Sequence, residues 1–458
     1  MSDSTLQPAH LLGSEGLDGA VSRRQFVTGL ARSGLLLSAG GGLLAACGGS
    51  SSSSSPAAAS GAPTGTITLI HEGAADLAPI IQGVVKNFEK ANPEIKVKDA
   101  VLGGGGTAGG WAQYSDALTT QIAGGKVPDV VWMATEGLRL FASKNLLEPL
   151  DSYLDRDKAE LQSYFDSLPS GMLERWDRLV SPDGKRYQLP SQFNTMGIWY
   201  NADLFKEAGV PEPKADWTWD DFHAAAQKLT QPGKVFGMHV VNSYFIGVLP
   251  WLLTNGANSL NDDWTQATIN SPEAIEAAAF MRQLIEERIS PRPGGQFDPI
   301  AAMAQGKLAM FGGGWWPLFP AKAQGLLGKV KIAPWPQKRG NGSPVGWNMY
   351  PIFKASKNKP AAWEFVKYMT RPEVSSFISA RGVTLPLTKD VAAKAIKNGP
   401  PGAQYLYDAL DYAKPVPSPS NNAVIQKSIE DTFGQILAGN VKPADALNRL
   451  NQDIQAKL

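Results

Sequence analysis

The sequence has few of the residues that build disulfides, metal sites and charged interfaces. It contains one cysteine and four histidines in 458 residues, and its formal net charge is +1 with no long run of one charge. A single cysteine excludes an intrachain disulfide and any metal site made of several cysteines. The missing basic patch argues against a nucleic-acid partner. The remaining composition is typical of a globular protein, and the length indicates about two to three domains.

The N-terminal segment also lacks an apolar run long enough to span a membrane. Its apolar stretch extends only from Leu35 to Ala46 and is rich in glycine. Before this stretch lies Ser22-Arg23-Arg24-Gln25-Phe26-Val27, which is typical of a twin-arginine export signal. After it, Leu44-Ala45-Ala46-Cys47 resembles a bacterial lipobox. These features in this order predict that residues 1–46 are a signal peptide.

The single cysteine is then the predicted site of lipidation. Removal of the signal would make Cys47 the mature N-terminus, and two acyl chains are enough for stable membrane anchoring. The segment 47–64 follows as the lipidated cysteine and a flexible tether of Gly, Ser, Ala and Pro. We therefore expect an exported protein that is lipid-anchored to the outer face of the cytoplasmic membrane.

Motifs of known enzyme chemistry are missing from the mature sequence. His71-Glu72-Gly73-Ala74-Ala75 begins like a zinc-protease motif but has no second histidine, and no G-x-S-x-G elbow occurs. The sequence therefore predicts no catalytic residue, cofactor or metal site. A secreted glycan hydrolase stays open as an alternative, because carboxylate pairs such as Asp220-Asp221 and Asp262-Asp263 could flank a glycosidic bond.

Strand and helix patterns alternate along the mature chain. The first region reads as strand 66–70, helix 75–91, strand 95–98, helix 111–123 and strand 129–133. A second series has strands at 196–200, 235–241, 308–311, 330–333 and 349–352, with helices at 219–229 and 272–288, and residues 361–458 are mainly helical. This order predicts an α/β fold with two lobes, each a mostly parallel sheet flanked by helices.

Tryptophan, often beside glycine, at the ends of predicted strands is the most distinctive feature of the mature sequence. Gly314-Trp315-Trp316 follows a predicted strand, Gly346-Trp347-Asn348 precedes one, and Trp132 ends another. Aromatic residues also follow the strand at 235–241, namely Tyr244, Phe245 and Trp251. Ligands of open α/β sheets bind outside the strand ends. A flat apolar ring with polar neighbours suits a sugar, because C–H groups pack on the ring while hydroxyls form hydrogen bonds.

Several short segments, taken in order, resemble the extracellular solute-binding proteins of ABC importers, in the carbohydrate-binding group that includes maltose-binding protein. The segments are Phe88-Glu89-Lys90 with Asn92-Pro93, Val127-Pro128-Asp129-Val130-Val131-Trp132, Trp199-Tyr200-Asn201, Trp217-Thr218-Trp219-Asp220-Asp221-Phe222, Gly306-Lys307-Leu308-Ala309-Met310 and Gly314-Trp315-Trp316. The resemblance implies a type II periplasmic-binding-protein fold, in which two lobes joined by a multi-strand hinge close on a ligand. It also implies a monomer that binds a mono- or oligosaccharide and delivers it to the transmembrane subunits of an ABC permease.

The resemblance also implies boundaries for the two lobes. The N-lobe is expected at 65–192, with 346–405 returning to it. The C-lobe is expected at 193–345, with about 406–458 returning to it. The chain would cross between lobes near 192–196, near 346–350, and a third time before the last helices.

Site residues follow from the resemblance where the segments align. The acidic sugar ligand of the family falls at Glu136, with Trp132 standing in for an aromatic neighbour. A second ligand-binding acid is replaced by Asn194, and the stacking tryptophan falls at Trp316. Glu72 lies just past the first predicted strand, where the family often reaches its ligand.

A charged solute such as a glycerol phosphate is the remaining alternative. Such a ligand needs arginine or lysine in the cleft. Arg139 and Arg186 lie in regions of the sequence that could supply it.

Overall fold

The computed structural model describes residues 62–73, 77–103, 110–169, 180–293 and 297–458. The predicted signal peptide, Cys47 and the tether up to residue 61 lie outside this part of the chain. Residues Ala62–Leu458 form one compact unit.

The described residues form eleven strands. They are β1 Gly65–Glu72, β2 Ile95–Leu102, β3 Val130–Val131, β4 Met133–Ala134, β5 Gln192–Asn194, β6 Gly197–Asn201, β7 Met310–Gly313, β8 Val330–Pro334, β9 Pro344–Met349, β10 Leu385–Pro386 and β11 Lys414–Pro415.

The α-helices of the described residues alternate with these strands and then dominate the C-terminal part. They are α1 Leu77–Ala91, α2 Gly110–Ala123, α3 Thr135–Ser143, α4 Asp151–Arg156, α5 Lys158–Asp166, α6 Ala202–Glu207, α7 Trp219–Leu229, α8 Leu249–Thr254, α9 Pro272–Glu286, α10 Pro299–Ala304, α11 Leu318–Ala323, α12 Lys359–Met369, α13 Pro372–Ser379, α14 Lys389–Lys397, α15 Gln404–Asp408, α16 Asn422–Leu437 and α17 Pro443–Gln455. A π-helix, Tyr244–Val248, runs directly into α8, and a 3₁₀ turn, Ala409–Asp411, follows α15. No helix within the described part of the chain is long and apolar enough to cross a membrane.

The first sheet is fully parallel and has the order β2-β1-β3. Helix α1 lies between β1 and β2, and its buried residues recur at the spacing of one helical face from Leu77 to Phe88. The predicted β-α-β-α-β order is confirmed here. Because parallel strands end at the same edge of a sheet, the ends of β1 and β3 place Glu72 and Trp132 on one side.

The second sheet gathers segments that are distant in sequence. Strand β9 pairs antiparallel with β4 and β5 and parallel with β11, and β10 pairs with β5. The segments predicted to cross between lobes, which contain β5 and β9, are therefore hydrogen-bonded neighbours. The predicted strand at 349–352 is wrong in position: β9 spans Pro344–Met349, and Pro351 beyond it has no N–H to continue a ladder.

The third sheet differs from the expected mostly parallel arrangement. Strand β6 lies between β7 and β8 and runs antiparallel to both. Only two residues separate β5 from β6. Because no crossover helix fits in that link, the direction of β6 follows from the direction of the crossing strand. The predicted strand at 235–241 makes only isolated bridges: parallel ones from Phe236 to Leu308 and from His239 to Phe311, and an antiparallel one from Val235 to Gln231.

A cluster of packed rings fills the interior beside this third sheet, and we call it the core aromatic cluster. It comprises Trp219, Phe222, Trp251, Phe280 and Trp335. Trp251 contacts the other four rings with centroid separations of 5.1–5.4 Å. Such edge-on contacts add to the free energy that burial of the rings contributes.

Candidate functional site

The loop after β7 carries Trp315 and Trp316, and we call it the tryptophan loop. It is hydrogen-bonded to the last residue of β5. The backbone N–H of Trp315 donates to Oδ1 of Asn194 at 3.1 Å. A methyl group at Gly314 would lie 2.3 Å from the ring of Trp316 and 2.9 Å from the same Asn194 oxygen, so only glycine fits between them. Asn194, an expected ligand residue, thus holds the tryptophan loop in place.

The two adjacent tryptophans of this loop have different surroundings. Trp315 is 1% exposed and its Nε1–H donates to the carbonyl oxygen of Ser379 at 2.9 Å, so it is part of the interior. Trp316 is only partly buried. Trp251 is also 1% exposed, within the core aromatic cluster. The structure therefore does not bring Trp251 or Trp315 to the surface where a ligand could contact them.

Phe245 and Trp316 form what we call the cleft aromatic pair. Their ring centroids lie 6.3 Å apart with a tilt of 45°, and both side chains are partly exposed. Gly346 of β9 lies against this pair: a methyl group there would be 3.3 Å from Cε2 of Phe245 and 3.8 Å from Oγ1 of Thr135. These contacts join the π-helix, the tryptophan loop, β9 and α3 at one place.

Strand β9 carries two of the expected ligand residues, Trp347 and Asn348, next to the cleft aromatic pair. The backbone N–H of Trp347 donates to Oγ1 of Thr135 at 2.8 Å, and the Trp347 side chain is 3% exposed. Asn348 is partly exposed and its backbone lies opposite Gln192 and Ala134. Of these two expected ligand residues, Asn348 has the more accessible side chain.

Glu136 lies in the first turn of α3 and is 8% exposed. Burial raises its pKa to about 7, the backbone N–H at the helix start lowers it, and the negative charge of Glu430 raises it further. Burial therefore favours the protonated form of this carboxyl group. A protonated carboxyl group can donate a hydrogen bond as well as accept one.

Two polar residues of α16, Gln426 and Glu430, adjoin this site. Oε1 of Glu430 accepts hydrogen bonds from the backbone N–H of Tyr244 at 2.9 Å and from Nε2 of Gln426 at 3.1 Å. The Tyr244 hydroxyl is hydrogen-bonded to Ser259. Burial raises the pKa of Tyr244, its hydrogen bond to Ser259 lowers it, and the charges of Glu136 and Glu430 raise it. Tyr244, Glu136 and Glu430 are therefore neighbours.

Glu72 and Trp132 belong to a second group beside α3. Glu72 is the last residue of β1 and not, as expected, a residue beyond the strand. Trp132 is 7% exposed, and its ring lies 6.2 Å from Trp111 and 5.7 Å from Tyr114. The Tyr114 hydroxyl donates to the carbonyl oxygen of Trp132 at 2.8 Å, and burial together with the charge of Glu72 raises the Tyr114 pKa.

The rings of this second group are packed directly against the first turn of α3, which carries Glu136. A methyl group at Gly137 would lie 2.4 Å from the ring of Trp111, so Trp111 lies on the turn of α3 that carries Glu136. Trp111 is partly exposed. Indole and phenyl rings, the carboxyl group of Glu136 and the amide groups of Asn194 and Asn348 are therefore located in the same part of the fold.

Sequence reasoning missed Trp111, Gln426 and Glu430. One signal for the last two was present: Asn422, Gln426 and Glu430 recur every fourth residue in α16 and so share one helical face. Both Asn422 and Gln426 are buried. A polar row on a buried face indicates a specific role, but the sequence does not say which element it meets.

The site combines aromatic rings with carboxyl and amide groups, as expected for a site that binds a polar molecule. Aromatic faces contact C–H groups, and amides and carboxyl groups bond hydroxyls. Within the described residues, no group of three or more His, Cys, Asp or Glu side chains could hold a metal ion. The carboxylate pairs considered for a hydrolase have other partners: Asp221 caps α7 through Thr218, and Asp262 pairs with Lys414.

Comparison with known families gives one extended match. The profile described as "Bacterial extracellular solute-binding protein" matches residues 74–376, which is most of the chain. This match confirms the resemblance drawn from the short sequence segments.

Individual relatives are similar over most of their length. A binding protein of Brucella abortus is 26% identical over 348 residues, covering 73% of this chain and 79% of its own. The maltotriose-binding protein of Pyrococcus abyssi is 25% identical over 338 residues, covering 70% of this chain and 68% of its own. The structure of an ABC substrate-binding protein from Listeria monocytogenes in complex with cycloalternan superimposes with a TM-score of 0.76 at 28% identity, covering 86% of this chain and 98% of the other. This similarity confirms the predicted two-lobe α/β fold.

Proposed function

The chain belongs to the bacterial extracellular solute-binding proteins, and we propose that it is the substrate-binding component of an ABC importer that captures a mono- or oligosaccharide. The cleft aromatic pair carries this proposal: Phe245 and Trp316 present partly exposed rings beside the carboxyl and amide groups of Glu136, Asn194 and Asn348. A pyranose ring has apolar faces and a polar edge, and both would find partners here. The relatives named for maltotriose and solved with cycloalternan support this ligand class.

The proposed mechanism is closure of two lobes around the sugar. The N-lobe would comprise 65–192 and 346–405, and the C-lobe 193–345 and about 406–458. Strands β5, β9 and β11 pair in one sheet, so a rotation of the lobes would bend these short strands together. The closed monomer would then dock on the transmembrane subunits of its permease and carry out no chemical step itself.

The charges at the site favour an uncharged ligand over a glycerol phosphate. Glu136 and Glu430 would repel an anion. Arg186, one of the cations considered for such a ligand, lies over the ring of Phe165 at 5.7 Å, and its backbone N–H faces the carboxylate of Asp151. Burial lowers the pKa of Arg139, which marks that guanidinium as partly desolvated.

A thermal-shift screen tests the ligand class. Monosaccharides, oligosaccharides, a glycerol phosphate, amino acids and a polyamine would each be added to the mature protein. A bound ligand raises the melting temperature by mass action, by RT ln(1 + [L]/Kd) in free energy. We expect only carbohydrates to raise it. A rise with a non-sugar and none with any carbohydrate would refute the sugar assignment.

We also propose that Cys47 anchors the protein by its lipid. The order of twin-arginine motif, apolar stretch and lipobox supports this proposal. A Cys47→Ser variant expressed in a bacterium should leave the membrane fraction and keep its sugar affinity. If the variant stayed in the membrane fraction, the anchor would have to lie elsewhere.

A further inference from the structure

The ring of Phe245 is carried by a short element that does not complete its own hydrogen bonds. The π-helix Tyr244–Val248 has five residues, and the N–H groups at the start of any helix have no partner inside it. Ser243, which precedes this helix, provides no side-chain cap. Pro250, two residues after it, has no N–H to donate back to a carbonyl group of the helix. The position of the π-helix therefore depends on contacts from other parts of the chain.

Glu430 of α16 supplies the cap at the start of the π-helix. Its Oε1 atom accepts the backbone N–H of Tyr244, the first residue of the π-helix, at 2.9 Å. The same atom accepts a hydrogen bond from Nε2 of Gln426 at 3.1 Å, so the preceding turn of α16 orients the carboxyl group. A side-chain oxygen that accepts an N–H at a helix start stabilises that start. This cap ties the π-helix to α16.

The residues just before the π-helix are held by the same helix. Nδ2 of Asn242 donates to the carbonyl oxygen of Glu430 at 2.8 Å. One turn further along α16, a methyl group at Gly434 would lie 3.2 Å from the same Asn242 nitrogen. A methyl group at Gly247 would lie 2.1 Å from the carbonyl oxygen of Val241, so the π-helix also packs closely on this segment. Two successive turns of α16 therefore contact the chain where the π-helix begins.

The position of Tyr244 determines that of Phe245, the next residue. Tyr244 is held at its backbone by Glu430 and at its hydroxyl by Ser259, and its side chain is 1% exposed. The ring of Phe245 is partly exposed and lies 6.3 Å from the ring of Trp316. If the cap were lost, the start of the π-helix could shift and take the ring of Phe245 with it.

We propose that Glu430 is a positioning residue for the cleft aromatic pair: by capping the π-helix it holds the ring of Phe245 where a sugar would pack on it. The inference rests on the proposed sugar-binding function and adds to it a residue that acts through Phe245. The cap requires an oxygen that accepts a hydrogen bond, and the amide oxygen of glutamine accepts one as a carboxyl oxygen does. Glu430→Gln should therefore keep the cap, and Glu430→Ala should lose it.

Hydrogen exchange followed by mass spectrometry measures the cap without any ligand. In the mature protein, the peptide that contains Tyr244–Val248 should exchange about three- to ten-fold faster in Glu430→Ala, because an uncapped helix start opens more often. Glu430→Gln should exchange at the unsubstituted rate. Equal exchange in Glu430→Ala and the unsubstituted protein would overturn the inference.

Asp431→Ala is the matched control for Glu430→Ala. Asp431 is the next residue of α16, and it is exposed and paired with the exposed Lys427. Such surface pairs contribute little to stability, so this variant should behave like the unsubstituted protein. Alanine favours a helix, so α16 should persist in both variants, and their melting temperatures check that each is folded.

A double-mutant cycle tests whether the cap acts through Phe245. Kd would be measured by calorimetry with the carbohydrate that gives the largest rise in melting temperature in the thermal-shift screen. Glu430→Ala should weaken binding about three- to ten-fold, and Glu430→Gln should stay within about two-fold of the unsubstituted protein. In the Phe245→Leu protein, Glu430→Ala should change Kd by less than about two-fold, because the ring that the cap positions is gone. An equal loss in both backgrounds would overturn the inference, since Glu430 would then act on the ligand directly.

The remaining outcomes separate this inference from the sugar-binding function. Sugar binding with the same Kd in Glu430→Ala and the unsubstituted protein would refute the positioning role and leave the function intact. Equal weakening by Glu430→Ala and Glu430→Gln would also refute it, because the amide keeps the cap. Absence of carbohydrate binding by the unsubstituted protein would refute the proposed function itself, and the positioning role with it.

Discussion

The core aromatic cluster and the cleft aromatic pair are built from the same residue types and differ in what surrounds them. In the core aromatic cluster Trp251 contacts four other rings and is 1% exposed. In the cleft aromatic pair the two rings contact each other, and both keep solvent-accessible surface. The first arrangement buries most of its apolar surface in the folded interior, whereas the second leaves apolar surface for a ligand. Stability and binding should therefore be separable by substitution.

The largest effect is expected in the core. Trp251→Ala would remove a buried ring and leave a cavity, which should lower the free energy of unfolding by about 3–5 kcal/mol. Urea unfolding followed by circular dichroism measures this change. The folded fraction should keep its sugar affinity, and a large loss of affinity would show that the two aromatic regions are not independent.

In the cleft, substitution of Glu136 should stabilise the folded protein, whereas Trp251→Ala in the core destabilises it. Its folded pKa, about 7, lies above its ordinary value of 4.5. The protein therefore gains stability from this proton below about pH 4.5, and loses up to about 3 kcal/mol as pH rises through 7. Glu136→Gln should match the unsubstituted protein at pH near 4.5 and exceed it by about 2–3 kcal/mol at higher pH. Urea unfolding at both pH values checks this, and equal stability at high pH would contradict it.

Removal of the exposed ring should affect binding more than folding. Trp316→Ala should weaken sugar binding by about 1–3 kcal/mol because a stacking face is lost. Its effect on unfolding should stay below about 1 kcal/mol, because the ring is only partly buried. Phe319→Ala, which removes an exposed ring close in sequence, is the matched control and should leave affinity unchanged. Unchanged calorimetric affinity of Trp316→Ala would remove this ring from the site.

The smallest effect is expected where the ring is displaced and not removed. A methyl group in Gly346→Ala would approach Phe245 to 3.3 Å and tilt the cleft aromatic pair. Affinity should fall by about 1 kcal/mol. Gly340→Ala places a methyl group in open space and is the control. Equal affinity of both variants would show that the angle between the two rings does not matter for binding.

Much of the first lobe's architecture could be predicted because each element carries its own local signal. The spacing from Leu77 to Phe88 is that of one buried helical face, and β1 and β3 are short β-branched runs. The sequence prediction placed strand β9 too far along the chain, because the residues at its start do not favour a strand. Pro344 and Gly346 are poor strand residues, and only pairing with three distant strands makes them extended.

Long-range contacts explain what could not be predicted at the site. The hydrogen bond between Glu430 and Tyr244 joins residues 186 positions apart. No pattern in the sequence around either residue predicts this contact. Trp315 and Trp316 carry identical side chains in adjacent positions, so only the packing against Ser379 decides which one is interior. The direction of β6 depends in the same way on the strand that precedes it, and not on its own residues.

The uneven exposure of the tryptophans has an optical consequence. Among the twelve described tryptophans ten are buried, and Trp111 and Trp316 keep accessible surface. Indoles in contact with water emit at longer wavelength than those in an apolar interior, so Trp111 and Trp316 should emit at longer wavelength than the ten buried tryptophans. A ligand that covers Trp316 should shift that emission to shorter wavelength. The protein thus contains its own reporter for binding, one that needs no attached dye.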